Sequence, residues 1–128
     1  MKESGKGNSE DSDELTNIIN ELKTQGNFTG VLYIRRDGEI LNESIEKPID
    51  TKAFASMCAS VLEGAMELSE TMGNQNIRKI IAELNNETII IIRIENSSFL
   101  VCILNPQSNS NLLLEDLDRY IQNIMQFS

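Results

Sequence analysis

Acidic side chains on one predicted helix are the residues of this sequence whose types and spacing best suggest a functional surface. Glu63, Glu67 and Glu70 recur at the three- and four-residue intervals that share a helical face, and Lys52 is the one basic residue predicted nearby. Such a run is typical of a solvated face and otherwise of a patch that recognises a partner. Nothing in the sequence points to an active site built from these carboxylates.

Other catalytic chemistry is missing from the sequence. The chain contains no histidine, which excludes Ser-His-Asp triads, Cys-His pairs and histidine-ligated metals. Cys58 and Cys102 stand in apolar contexts without zinc-site spacing, and we expect two buried structural thiols. Asp116 and Asp118, near Arg119, predict only the exposed side of a last helix. We therefore predict a non-catalytic protein with no metal and no cofactor.

Composition narrows the class of partner. The chain has 128 residues, enough for one domain with a real core, and a formal net charge of −9. Such an acidic protein is poorly suited to nucleic acid or to an anionic membrane surface. Apolar runs such as Ile89–Ile92 are too short to span a bilayer, and no basic-then-apolar leader opens the chain. We expect a cytoplasmic protein that neither binds nucleic acid nor inserts into membranes.

The beginning of the chain predicts a tail, a helix and a hairpin. Residues 1–11 are expected to be a disordered tail, so that the domain covers residues 12–128. Asp11–Asp13 offers N-caps to an amphipathic helix that Gly26 ends. The Asp-Gly dipeptide at 37–38 then favours the positive φ values of a tight turn between two strands.

The long helix predicted at Lys52–Met72 carries more apolar surface than one neighbouring layer covers, and Asp50 or Thr51 would cap its start. One stripe has the spacing of a helix lying on a core: Phe54, Cys58, Val61, Ala65, Leu68 and Met72. A second stripe lies roughly a quarter turn away and would meet another helix of this chain or of a partner subunit: Ala55, Ala59, Leu62 and Met66.

Three strands and a final helix complete the chain. Ile77–Leu84 is interrupted by charged residues and suits a sheet edge. Glu87–Ile94 is apolar on both faces, so helices should cover it on both sides. Phe99–Leu104 follows, and the final helix carries an apolar stripe from Leu113 to Met125. The predicted order is α-β-β-α-β-β-β-α, an α+β domain with a five-stranded, mostly antiparallel sheet between helices.

Four strings of the sequence, taken in order, resemble one known family. They are the hairpin VLYIRRDGEIL (Val31–Leu41), the helix AFASMCASVLEGAMELSE (Ala53–Glu70), the three-strand run Ile77–Pro106 and the terminal helix NLLLEDLDRYIQNIM (Asn111–Met125). Together they cover nearly everything after Ser12. The resemblance is to the Roadblock/dynein light-chain family, of the prokaryotic, small-GTPase-associated type, which has no invariant catalytic signature.

That resemblance implies a profilin-like α/β sandwich that dimerises through an edge strand and the long helix. One patch on each subunit would meet its own copy across a two-fold axis. The partner subunit would be a second copy of the chain or a related Roadblock-like subunit. Carried onto this sequence, the interface comprises Ala55, Ala59, Leu62, Met66, Ile77, Lys79, Ile81 and Glu83.

The resemblance also implies a Ras-like small GTPase as partner. Its contact is placed on the exposed side of the long helix, at Ser56, Ser60, Glu63, Glu67 and Glu70. That side carries no arginine, and Arg35 and Arg36 are interpreted as solvated strand ends, so no arginine finger is predicted. We therefore expect a homodimeric regulator or adaptor. The alternatives are a structural scaffold subunit of a larger complex and a small-ligand sensor.

Overall fold

Five antiparallel strands form one sheet with helices on both faces. The computed structural model describes residues 2–111 and 117–127, with side chains for residues 13–111 and 118–126. In chain order the elements are α1 (Lys2–Gly26), β1 (Gly30–Arg35), β2 (Ile40–Ile45), α2 (Thr51–Thr71), β3 (Lys79–Glu83), β4 (Thr88–Glu95), β5 (Ser98–Leu104) and α3 (Leu117–Phe127). The predicted order and fold class are confirmed; Leu113 of the predicted last helix lies outside the described residues.

The strands are arranged β2-β1-β5-β4-β3, and every neighbouring pair is antiparallel. The β1–β2, β3–β4 and β4–β5 pairs join consecutive strands, whereas the β1–β5 pair joins distant parts of the chain. The predicted turn at residues 37–38 is present, with Gly38 at a φ of 100° and its N–H donating to the Arg35 carbonyl at 2.7 Å. β3 lies at a sheet edge, as its charged residues predicted.

The α1/α3 face of the sheet holds the larger group of buried aromatic residues. Tyr33 of β1 and Tyr120 of α3 are each 1% exposed, and Ile19 and Leu22 of α1 are completely buried among them. The Tyr33 hydroxyl donates to Ser98 Oγ at 2.9 Å, which satisfies the one polar side chain that is buried among the described residues.

The α2 face forms a second core. Leu32 and Ile34 of β1 and Phe99 and Val101 of β5 are completely buried under α2. In β4, Ile90 and Ile92 point towards α1 and α3 whereas Ile91 points towards α2. Helices thus cover both faces of β4, as the sequence predicted.

The first helix starts earlier than expected. It begins at Lys2, and therefore before the caps expected at Asp11–Asp13. Once the anchored turns containing Leu15 and Leu22 are formed, each further residue adds a hydrogen bond without a new nucleation step. Within the two described ranges, no helix is long and apolar enough to cross a membrane.

Candidate interaction surface

The start of helix α2 is fixed by its N-cap. Asp50 Oδ1 accepts a hydrogen bond from the Ala53 N–H at 3.2 Å, and the Asp50 carbonyl accepts one from Phe54 at 2.9 Å. The cap satisfies one of the orphan donors of the first turn, and Asp50 is one of the two caps that the sequence predicted. The helix starts at Thr51, one residue before the predicted Lys52.

The side of α2 that faces the sheet differs from the predicted one. Ala55 is completely buried and Leu62 is 2% exposed, and both pack against Ile91 and its neighbours in the chain's own core. Ala59 and Met66 are half-buried against the same core. The predicted dimer contact is therefore wrong for Ala55 and Leu62, because neither has surface left to offer a partner.

The stripe predicted to lie on the core is largely at the surface. Cys58 is buried and Phe54 packs against the core, but Val61 is 50% exposed and both Leu68 and Met72 are 64% exposed. The helix is rotated towards the second stripe, whose small alanines allow close approach to the sheet. Together with Met57, which is 66% exposed and was missed, Val61, Leu68 and Met72 form what we call the apolar flank.

The opposite side of α2 is polar. Consecutive residues are about 100° apart on a helix, so Val61 and Glu63 point roughly 160° away from each other. All residues of the predicted partner face are exposed, and we call them the acidic flank: Ser56, Ser60, Glu63, Glu67 and Glu70.

The β1–β2 turn packs beside the acidic flank. Arg36 Nη2 lies 3.3 Å from Glu63 Oε1, and Arg36 Nη1 donates to the Asn96 carbonyl at 3.2 Å. A Cβ added at Gly38 would lie 3.4 Å from the Ser56 Cα. The countercharge of the flank is therefore Arg36, which was expected to be a solvated strand end, and not Lys52. The two partners are 27 residues apart, so no local sequence pattern could reveal the pair.

Charge within the turn itself is also paired. The Arg35 guanidinium donates to the Asp37 carboxylate at 2.6 Å, which holds the pKa of Asp37 below its ordinary value and raises the pKa of Arg35. Asp37 also accepts from the Glu39 N–H at 3.1 Å. Arg35 is therefore held within the turn by its ion pair with Asp37.

The free edge of β3 lies at the end of the sheet away from β2. Lys79, Ile81 and Glu83 are exposed, with Ile81 at 53%, and Ile77 packs partly against the α2 core. The apolar flank points away from the acidic flank, which adjoins the β1–β2 turn, and β3 has a neighbouring strand on one side only. The surface therefore offers both exposed apolar side chains and an unpaired strand edge.

The buried titratable groups do not form a reactive centre. Burial raises the pKa of Cys58 to about 11 and that of Cys102 to about 12, so both thiols are protonated at neutral pH. In the part of the chain that the structure describes, no three His, Cys, Asp or Glu side chains are grouped to hold a metal ion. The surfaces available for contact with another macromolecule are the apolar flank, the acidic flank and the β3 edge.

The fold and this surface define the class to which the protein belongs. The Roadblock/LC7 domain family matches residues 14–104, and the chain belongs to that family. The match runs from the middle of α1 to the end of β5 and therefore includes α2 and the β3 edge.

Solved structures share the same fold. The gliding protein MglB of Thermus thermophilus is 12% identical, with a TM-score of 0.83 over 91% of this chain and 90% of that one. Myxococcus xanthus MglB is 15% identical, with a TM-score of 0.81 over 88% and 92%. An MglB with a tetrameric arrangement is 13% identical, with a TM-score of 0.84 over 91% and 89%. Curated protein sequences give no match to this chain.

Proposed function

We propose that this protein is a non-catalytic, homodimeric regulator or adaptor that binds a cytoplasmic Ras-like small GTPase. The observation that carries the proposal is the division of α2 into an apolar flank and an acidic flank that point in opposite directions. One helix can therefore serve two contacts at once without competition between them.

Self-association is assigned to the apolar flank and the β3 edge. Exposed apolar side chains that lie together on one side of a protein mark an interaction surface, and an unpaired edge strand is a template for a further strand. A second copy would cover both through a two-fold arrangement, in which one patch meets itself. The tetrameric arrangement described for a structurally similar MglB supports self-association. Lys79, Ile81 and Glu83 of the predicted interface are exposed on the β3 edge and remain part of the proposed dimer contact.

The GTPase contact is assigned to the acidic flank. Its side chains are exposed, and of its three glutamates only Glu63 forms an ion pair with another described residue. The partner chemistry comes from the resemblance of the sequence to small-GTPase-associated Roadblock proteins, and membership of the Roadblock/LC7 family supports it. A carboxylate row favours a partner that presents lysine and arginine side chains.

Two adjacent substitutions separate the contacts. Glu67→Lys reverses one charge on the acidic flank, and Leu68→Lys places a charge on the apolar flank. Both sites are exposed, so both variants should fold. The native protein and each variant are examined by sedimentation equilibrium and by pull-down of small GTPases loaded with GDP or a GTP analogue.

We expect Glu67→Lys to remain dimeric and to lose at least about tenfold in GTPase affinity. Leu68→Lys should become monomeric. Absence of GTPase binding in both nucleotide states would contradict the proposed partner. Recovery of a related light chain in place of a second copy would favour the scaffold alternative.

A further inference from the structure

The free edge of β3 presents its backbone groups in a fixed alternation. The Arg93 N–H donates to the Arg78 carbonyl at 3.2 Å, and the Leu84 N–H donates to the Glu87 carbonyl at 2.7 Å, so the even-numbered positions bond to β4. In an antiparallel ladder, residues that bond to one neighbour alternate with residues that face the other side. The backbone groups that face the open edge therefore belong to the odd-numbered residues: Lys79, Ile81 and Glu83.

These three residues also share one face of the sheet. Lys79 lies opposite Ile92 and Ile81 lies opposite Ile90, and both of those isoleucines belong to the α1/α3 core. Because every second residue of a strand points to the same face, Glu83 lies on this face too. The row reads basic, apolar, acidic, and all three residues are exposed. Neither Lys79 nor Glu83 forms an ion pair with another residue that the structure describes.

The alternation limits how β3 can pair with a second copy of itself. The outward hydrogen-bonding groups of both copies come from odd-numbered residues, so an antiparallel pairing sets odd-numbered residues opposite odd-numbered residues. With Ile81 opposite the partner's Ile81, all of β3 is paired. A two-fold axis through Ile80 would pair only residues 79–81 of the strand, and one through Ala82 would pair only residues 81–83. The register centred on Ile81 is therefore the one that uses the whole strand.

The same register is the one in which the charges match. Lys79 lies opposite the partner's Glu83, and Glu83 lies opposite the partner's Lys79, so two ion pairs flank the central isoleucines. Opposite charges directly across an antiparallel pair are stabilising, and like charges are destabilising. An axis through Ile80 or Ala82 would leave neither charge opposite its complement. An axis through Lys79 or Glu83 would set that residue against its own copy.

The other edge of the sheet is not self-complementary. Strand β2 contains Glu43 and no basic residue, so no register of its self-pairing joins opposite charges. Its Asn42 is also tied to α1 by a hydrogen bond that it donates to Thr16 Oγ1 at 3.0 Å. Pairing through β3 alone gives a closed two-fold dimer and not an open chain of sheets.

We infer that the β3 edge recognises a second copy of this chain in one register, with Ile81 on the two-fold axis and a Lys79–Glu83 ion pair on either side, an inference that rests on the homodimer of the proposed function. The charge row decides which subunit the edge accepts. A related light chain would fit only if its own edge carried the same order of basic, apolar and acidic residues.

Charge reversals test the two ion pairs, with the dimer Kd of the full-length protein measured by sedimentation equilibrium. Lys79→Glu and Glu83→Lys each set like charges opposite one another twice in a homodimer, so each should raise the dimer Kd about tenfold. An equimolar mixture of the two variants, and a double variant with both changes in one chain, should recover the native Kd to within about threefold. Lys52→Glu makes the same change of net charge on α2 and should leave the Kd unchanged.

Recovery in the double variant cannot come from an ion pair within one chain. Residues 79 and 83 are four positions apart on the same extended strand, a separation of about 13 Å. The new Glu and Lys side chains therefore meet only across the two-fold axis, and recovery reports the register.

Disulfide formation reads the register directly. Ile81→Cys should form an intermolecular disulfide on mild oxidation, because opposite Cα atoms of a hydrogen-bonded pair are about 5.5 Å apart, which a disulfide spans. Lys79→Cys should not link to its own copy, since the two thiols would lie about 13 Å apart along the strands. A mixture of Lys79→Cys with Glu83→Cys should link. The native Cys58 and Cys102 are buried, so the unaltered protein gives the background.

Failure of the register can be told apart from failure of the proposed function. A native protein that is monomeric overturns both. A native dimer in which neither the mixture nor the double variant recovers affinity, or in which Ile81→Cys forms no disulfide, overturns the register and leaves the proposed homodimer standing. An equal loss of affinity in Lys52→Glu overturns the ion pairs in favour of general charge repulsion. Recovery and the expected cross-links without any bound GTPase support the register and contradict the GTPase partner.

Discussion

The two flanks of helix α2 differ in how the rest of the chain supports them. The acidic flank is braced by the β1–β2 turn, where Arg36 reaches Glu63 and Gly38 lies against Ser56. The apolar flank has Val61 and Leu68 at least half exposed. The comparison teaches that the acidic flank is stabilised by contacts within one chain, whereas the apolar flank keeps exposed apolar surface that the proposed self-association would cover.

The largest loss of stability should come from truncating a residue of α2 that is buried in the core, compared with its neighbour on the apolar flank. Leu62→Ala removes a side chain that is 2% exposed and should lower the free energy of unfolding by about 2–5 kcal/mol. Val61→Ala, one residue away but 50% exposed in the single chain, should change the free energy of unfolding of the monomer by about 0.5 kcal/mol or less. Urea denaturation measures both, and equal losses would show that the helix is rotated differently.

The turn that braces the acidic flank should give the next largest effect. Gly38 has a φ of 100°, which L side chains rarely adopt, so Gly38→Ala should destabilise the protein by about 1–2 kcal/mol. Gly64 is the matched control, because a Cβ there would meet nothing within 4 Å in the middle of α2. Gly64→Ala should stabilise by about 0.5–1 kcal/mol. Thermal unfolding of the two variants should therefore shift in opposite directions.

The Arg36–Glu63 ion pair should contribute less to the free energy of unfolding than the Gly38 turn does. Both side chains are partly exposed, at 35% and 52%, and pairs of this kind contribute about 0.2–1 kcal/mol. A double-mutant cycle of Arg36→Gln and Glu63→Gln measures the coupling, which 1 M salt should largely abolish. A cycle of Arg36→Gln with Glu67→Gln is the control and should show no coupling. Persistence of the first coupling in high salt would mean that the pair is shielded from solvent.

Ionisation of Cys58, on the core side of α2, should have the smallest effect on stability at neutral pH. Its raised pKa, about 11 against an ordinary 9.0, stabilises the folded state only while the thiol is protonated. That contribution is complete below pH 9 and is lost as the pH rises towards 11. At pH 8, Cys58 should react with iodoacetamide far more slowly than a cysteine introduced by Ser60→Cys on the acidic flank. Equal rates would place Cys58 at the surface.

Much of the fold was readable from local sequence, because its signals lie within a few residues of one another. The Asp37-Gly38 turn, the Asp50 cap and the continuous isoleucines of β4 each predicted an element that the structure contains. Element order then followed from these local signals together with the lengths between them.

The rotation of α2 was not readable in the same way. Apolar residues occupy a wide arc of the helix, and periodicity alone does not say which part of a wide arc meets the sheet. The choice depends on packing against Ile91 and Phe99, which lie far along the chain. Ala55 was the available signal, because a small residue lets a helix approach a sheet closely. The Arg36–Glu63 pair could not be predicted either, because its partners are 27 residues apart in the sequence.

The pairing of β1 with β5 has a consequence for how the protein folds. The β1–β2 and β4–β5 hairpins are local, but the Tyr33–Ser98 hydrogen bond joins residues 65 positions apart. Closing so long a loop costs chain entropy before any contact compensates for it. Both cores draw on β1 and β5, so neither can be completed until these strands meet. We therefore expect the β1–β5 junction to set the refolding rate, with α2 docking onto a sheet that is already joined.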